Sequence, residues 1–523
     1  MIRNIVRLNS AGLAVLALIF LIYPATRVFL DIRDPALREP GTPKVAWRIF
    51  KHLTPRYAAW ARNRLTDGRA EKLSTKDISG TEWPLFGSVF YLWAVENLEQ
   101  AWEAGDHSPG TEPKIFARDA VLAASDLVVD PKQAAWVKTH WGDDYLHREN
   151  VFYRMLVIAA LSVRERLYAD GTHRELLRDQ VETLAVELDK SKTGLLEDYP
   201  GECYPGDVMA AWMCIKRADA VLGTDHSAMI GRALRAFTGE QATPLRLPPY
   251  AANANTGRPI SPSRGCANSY MCLTGPELWP LAAREWDAIY DRFFWQERFG
   301  IAGFREFPKG ARGSGWQMDV DSGPVIAGYG VAANAFGIGA SRKNGRFDRA
   351  YPLTAEMLAT VWELPNGGLL LPRVLSNATD APLLGEAAIL WQLTVQPQKG
   401  FPVKSGEKLP VYPYVLLIGA FVLGIWRVLE SVVGFRYATY LDESEVPWGA
   451  AQIALWAVLL AGTAAVWVTK SATLGIVLLL VALILPIRRR VRRRGTEDWP
   501  EDEPRPPGAS KRAAPEGQGC SPT

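Results

Sequence analysis

The chain has 523 residues, of which 48% are hydrophobic and 22% charged, with a formal net charge of +3. That length allows two or three domains, or one large domain with membrane segments; the charged fraction excludes a pure membrane bundle, and so small a charge argues against a nucleic-acid partner. Trp is over-used at 19 residues, mostly in the middle of the chain, where the rings must line a core or a cavity.

In chain order, residues 1–30 read as an N-terminal transmembrane anchor. An apolar run over 10–30 follows Arg3 and Arg7. The run is longer than a signal core and no small-x-small cleavage site follows, which favours an uncleaved anchor over a removed signal peptide. From 31 to 409 the apolar residues recur at three and four, the period of helices. The pattern predicts helices over 45–65, 82–104, 114–129, 147–169, 173–190, 205–222, 227–237, 267–272, 277–295, 320–342, 351–363 and 383–394, with one strand signal at 368–374. Two long loops, 239–265 and 300–318, are of the kind that carry or cover a site.

Residues 410–487 hold three further candidate spans, 411–428, 450–468 and 472–487. The last is short for a hydrocarbon core of about 20 residues and reads as half of a helical hairpin. The tail, 488–523, opens on Arg488, Arg489, Arg490, Arg492, Arg493 and Arg494, which pin this end to the cytoplasmic side. Four spans return the N-terminus to the same side and leave 31–409 outside. The expectation is a multi-pass protein of the cell membrane, partnered by the lipid bilayer, with an extracytoplasmic domain.

Within that domain the helices pair. Those over 82–104, 147–169, 205–222, 267–272, 320–342 and 383–394 carry few charges and must be surrounded by protein; each is followed by a more charged partner suited to an outer position. The helix at 45–65 can close the ring against the last. The expected fold class is all-α, an (α/α)6 toroid. An open solenoid would show a repeated sequence period, and none is visible.

Inner helices that run in parallel bring their N-termini to one mouth, where free N–H groups and the helix dipole favour anionic groups. Three clusters fall at such positions. The stretch WGDDYLHREN supplies Asp144, Tyr145, His147, Glu149 and Asn150, read either as a proton-transfer cluster or as a capped helix with solvated charges. The stretch GECYPGD supplies Glu202, Cys203, Tyr204 and Asp207. A Cys at a helix N-terminus has a lowered pKa and can react; the alternative is a disulfide, with Cys203–Cys266 the pairing to test first. The stretch MDVDSGP supplies Asp319 and Asp321, one expected to act as general acid or base opposite Asp207 or Glu202, the other as a cap. Asn268, Tyr270 and Glu386 complete the set as substrate-binding candidates. HExxH, CxxC, Walker and GxSxG motifs are lacking, so neither a metal nor another cofactor is expected.

The stretch Arg148-Glu149-Asn150-Val151-Phe152-Tyr153 and the sequence Cys203-Tyr204-Pro205 resemble linalool dehydratase/isomerase-type proteins. The resemblance covers about the middle third of the chain. It implies an (α/α)6 toroid working outside the cytoplasm without a cofactor, with Cys203, and Cys214 beside it, at reactive-cysteine positions and His147 or Tyr145 nearby. Cys203 and Cys214 stand farther apart than in the family pattern, and DVDSGP has no counterpart in it. Three functions are therefore expected to compete: a cofactor-free lyase or isomerase of an apolar or amphipathic alcohol, a glycan-active hydrolase or lyase using paired carboxylates, and a non-catalytic cell-envelope scaffold.

Overall fold

The computed structural model describes residues 2–108, 110–311, 315–319, 321–376 and 379–439, with parts of 455–481. The N-terminal apolar segment comprises α1 (Ile2–Ala17), a π-turn (Leu18–Ile22) and α2 (Tyr23–Asp31). There follow α3 (Lys44–Thr66), α4 (Ile78–Glu103), α5 (Pro113–Phe116), α6 (Arg118–Val129), α7 (Ala135–Trp141), α8 (Val151–Tyr168) and α9 (Arg174–Lys190). Next come α10 (Pro205–Leu222), α11 (Ser227–Ala233), α12 (Gly265–Leu278), α13 (Pro280–Phe294), α14 (Val331–Lys343), α15 (Phe347–Val361), α16 (Leu370–Ser376), α17 (Leu384–Thr394) and α18 (Val411–Tyr437). The chain is thus mostly helical. Two helical segments, Val6–Asp31 and Val411–Tyr437, are long and apolar enough to cross a membrane. Most of the expected spans at 450–468 and 472–487, and all of the basic tail, lie outside the described residues.

Burial sorts the helices as their charges predict. In α8 every residue from Val151 to Glu165 is buried, whereas α9 buries one stripe, Leu177, Gln180, Val181, Leu184, Ala185 and Leu188, at helical spacing. Helices of the first kind pack in sequence: α4 on α8, α8 on α10, α10 on α12, α12 on α14, α14 on α17, and α17 back on α4. Helices of the second kind lie against them: α6 on α4, α9 on α8, α13 on α12 and α15 on α14, while α3 packs on α17 and α6. The middle is filled by rings. Trp391 stacks on Phe90 at 4.9 Å and meets Trp93 at 4.7 Å, and Phe336 closes on Phe90 and Tyr270 at 5.9 and 5.3 Å.

Beneath these rings, toward the helix C-termini, lies a belt of alternating charge. Arg217 of α10 grips Glu277 of α12 with two donors (2.9 and 2.5 Å) and approaches Glu96 of α4 at 3.6 Å. Lys343 of α14 reaches Glu277 at 2.9 Å, and Arg166 of α8 approaches Glu96 at 3.6 Å. Five helices are tied together there.

Several boundaries differ from expectation for identifiable reasons. The helix expected over 320–342 starts only at Val331. Before it stand β3 (Trp316–Asp319), β4 (Gly323–Ile326) and β5 (Tyr329–Gly330), an antiparallel sheet in which Trp316 faces Ile326 and Asp319 faces Gly323; the β1 (Trp295–Arg298) and β2 (Ile301–Phe304) hairpin precedes it. Gly323, Ala327 and Gly328 have φ of 63°, 52° and 88°, which no right-handed helix accepts. The strand expected at 368–374 is instead α16, whose Pro372 sits in a first turn that needs no N–H from it. The helix expected from 147 starts at Val151, after Asn150 at φ 37°, so GDDYLHREN is a loop with one 3-10 turn, Tyr145–His147. Helix α12 runs on to Leu278 and keeps Glu277, because Pro280 takes the first position of α13.

The two apolar segments pack on each other and on the domain. Gly424 of α18 admits Ile22 of the π-turn: a Cβ there would sit 2.7 Å from the Ile22 side chain. The π-turn interrupts the regular ladder of backbone bonds, and the Phe20 carbonyl within it accepts the Trp362 indole N–H at 2.7 Å.

Candidate active site

A cavity of about 640 Å³ opens where the first turns of five inner helices meet. Helix α4 contributes Glu82, Trp83 and Phe86, α8 Phe152, α10 Gly206 and Asp207, α12 Ala267 and Tyr270, and α14 Phe336. Helix α7 adds His140, and loops add Tyr199, Glu202, Tyr204, Tyr250 and Asp321. The β3–β4 turn carries Asp321, and the long 239–265 loop brings Tyr250, whose hydroxyl donates to Asp321. A larger groove, about 920 Å³, lies between the β1–β2 hairpin and residues 403–411. Its Asp348 is held by Arg346 and Lys404, both at 2.9 Å, and its Glu297 by Arg349 at 3.5 Å, while the smaller cavity gathers several carboxylates without cations among the described residues and is the candidate site.

Pro205 fixes the start of α10, which makes Asp207 its third residue. Burial pushes the Asp207 carboxyl up to about 7, and the charges of Asp321 and Glu82 add to the effect. Glu82 is also pushed to about 7, by burial first, with Asp321 and Glu202 raising it further against the Tyr199 hydroxyl, which lowers it. That hydroxyl lies beside Glu82 in a geometry short of a full hydrogen bond. Behind the wall, Asp198 is 1% exposed, accepts the Tyr204 N–H at 2.6 Å, and is held well above the ordinary carboxylate range by burial and by Asp207. Tyr204 donates its hydroxyl to Glu202 at 2.8 Å. Tyr270, buried beside Asp207, has a hydroxyl with no hydrogen-bond partner among the described residues.

The structure therefore brings Glu202, Tyr204, Asp207, Tyr270 and Asp321 of the expected set to one cavity. The others stand elsewhere. His147 is half-exposed between Asp144 and Asp179, each 3.1 Å away, and its pKa is raised chiefly by Asp144. Asp319 accepts the N–H of Asp321 (2.9 Å) and of Ser322 (3.2 Å) and pairs with Arg264 at 3.3 Å. Burial raises its pKa, but these contacts outweigh it and leave the group lowered; it organises the turn that presents Asp321. Glu386 is buried between Arg56 and Arg373 at 3.0 and 3.2 Å. Asn268 bonds the Arg264 carbonyl at 3.0 Å, Asn150 the Tyr145 carbonyl at 3.0 Å, and Glu149 accepts from the Glu197 N–H at 2.7 Å; Tyr145 packs on Tyr153.

The cysteines depart from both readings given to them. Cys203, Cys214, Cys266 and Cys272 are all free and buried, so Cys203 and Cys266 form no bridge. Cys203 is 2% exposed and its thiol is pushed up, not down, by burial and by Asp198 and Asp207. Its helix N-terminus is outweighed by a low-dielectric site with carboxylates on two sides. Cys266 reaches the cavity wall, but its thiol donates to Glu306 at 3.1 Å.

Sequence reasoning missed Glu82, Tyr199 and Tyr250. The signal was present for two of them: Glu82 stood at an inner-helix start, and Tyr250 lay in a loop marked as covering structure. Among the described residues no group of three His, Cys, Asp or Glu side chains is placed to hold a metal ion. No protein-family model matches this chain, and no curated protein matches it.

Proposed function

We propose that the chain is a membrane-anchored acid–base enzyme that breaks a C–O bond of a hydroxylated substrate, with glycoside cleavage the best-supported reaction. In this reading the closed sequence of helix packings is an (α/α)6 toroid facing away from the cytoplasm, as the arginines at 488–494 require. One observation carries the chemistry. Asp207 keeps a proton to about pH 7 in a cavity shared with Asp321, which is exposed and bonded by Tyr250. Two carboxyl groups in such different surroundings divide the work: Asp207 protonates the departing oxygen, and Asp321 activates water or supports the developing cation.

Turnover should fall as pH rises through about 7, because the acid form of Asp207 is lost. Asp207→Asn should lower kcat on unactivated oligosaccharides at least about 100-fold. It should matter little on 4-nitrophenyl glycosides, whose leaving group needs no proton. Asp321→Asn should be severe on both, and Cys203→Ser mild. Full activity of Asp207→Asn and Asp321→Asn overturns the proposal. A second reading, loss of water from an apolar alcohol in the manner of a lyase or isomerase, is favoured by the Phe86, Phe152 and Phe336 walls and uses the same acid. It predicts dehydration that Asp207→Asn abolishes and no action on glycosides.

A further inference from the structure

Several carboxylates outside the cavity are matched by cations. Glu277 has Arg217 and Lys343, Glu386 has Arg56 and Arg373, Glu306 has Arg264, and Asp291 has Arg346 and Arg349. The cavity gathers carboxylates that have no such partner. Among the described residues Glu82, Glu202, Asp207 and Asp321 make no ion pair, although all four line one space. Where they have side-chain partners, these are phenol hydroxyls: Tyr204 on Glu202 and Tyr250 on Asp321. A phenol steadies a carboxylate without cancelling its charge.

A neighbouring arginine is withheld. Arg264 lies over the Tyr250 ring at 4.3 Å, with its charge spent on Glu306 at 2.8 Å and Asp319 at 3.3 Å. The lining holds only Lys76 and His140 as potential cations, and both are exposed at the rim. Aromatic faces make up much of the remaining wall, and they too favour a cation. A second, independent feature points to a ligand with oxygens: the Tyr270 hydroxyl, on a side chain 6% exposed, has no partner among the described residues, although a buried donor left unpaired is costly. The volume of about 640 Å³ suits a ligand of a few rings.

We infer that the cavity selects a hydroxylated ligand bearing a protonated amine, an amino sugar with its nitrogen free, whose charge supplies the counter-ion the protein omits and whose oxygens satisfy Tyr270. This rests on the acid–base reading above and names its substrate class. Binding the cation stabilises an ionised carboxylate, so the proton held by Glu82 leaves as it binds, while Asp207 keeps the proton it donates in turnover.

The test is calorimetric titration of the full-length protein in detergent at pH 7 with three tetramers of one linkage: β-1,4-linked glucosamine, its N-acetylated form, and cellotetraose. These differ only at C2. The amine should bind at least about tenfold tighter than either neutral tetramer, as one charge-assisted hydrogen bond provides. Its measured heat should vary with the buffer's ionisation enthalpy, reporting proton release, and added salt should weaken it selectively. Glu202→Gln and Asp321→Asn should each erode the preference, and Tyr270→Phe should weaken all three tetramers alike. Equal or tighter binding of a neutral tetramer, or binding of none, overturns the inference. If a neutral tetramer wins while Asp207→Asn still abolishes turnover, the amine preference fails and the acid–base reading stands. If Asp207→Asn turns over normally, that reading fails as well.

Discussion

Glu82 illustrates how far a single residue's role depends on neighbours that lie far off in sequence. Its carboxyl is held near 7 because burial strips its water and Asp321 and Glu202 repel its charge. A group whose folded pKa is raised contributes stability that is complete at low pH and is lost as pH rises from the unfolded value, about 4.5, through about 7. Glu82→Gln should abolish that loss. The wild type should melt lower at pH 8 than at pH 5, while the variant's melting temperature should fall less over that window, since Asp207 still titrates there, and at pH 8 its stability should be higher by on the order of 2 kcal/mol. Thermal unfolding followed by circular dichroism checks both slopes. At this scale the sequence revealed the acids that stand at helix starts, Glu202 and Asp207, and the Asp321 turn. It misdirected attention to His147 because its partner Asp179, on an outer helix, lies 32 residues on and turns it into a surface ion pair.

Helices were legible as elements because each carries its own period; α9 and α10 have the boundaries that periodicity, Pro205 and Gly223 dictate. The β3–β5 sheet was not, because its strands are two to four residues long and its shape is set by positive-φ positions rather than by alternation. How elements are stapled together was also invisible, since Arg217, Glu277 and Lys343 read singly as solvated charges. Glu277→Gln should cost about 3 kcal/mol, because it leaves Arg217 and Lys343 facing each other without the anion between them. Burial raises the Glu277 pKa, but Arg217 and Lys343 outweigh it and hold the group below its ordinary value. The stabilisation is therefore present above about 4.5 and lost as pH falls below it. Chemical denaturation at pH 7 and pH 3 should show a large gap between wild type and variant at the first and a small one at the second.

For the whole molecule, the join between domain and apolar segments runs through the π-turn. Trp362, itself at φ 57°, donates to the Phe20 carbonyl from the end of α15. Trp362→Phe keeps the ring but removes the N–H, leaving that carbonyl unpaired in apolar surroundings at a cost of about 1–2 kcal/mol. Hydrogen exchange of α1 and α2 in detergent should accelerate in the variant, while amides of α8 and α10 keep wild-type rates; equal rates throughout would show that the indole contact does not couple the two parts.

The filled middle of the ring has a consequence for traffic. Phe336, Trp391, Phe90 and Trp93 occupy the bore, and the charged belt lies behind them. These groups close the cavity on that side. Under the proposed glycoside cleavage a polymer would not thread past them, so a long substrate would present a terminus, and the fragment released would back out before the next arrives.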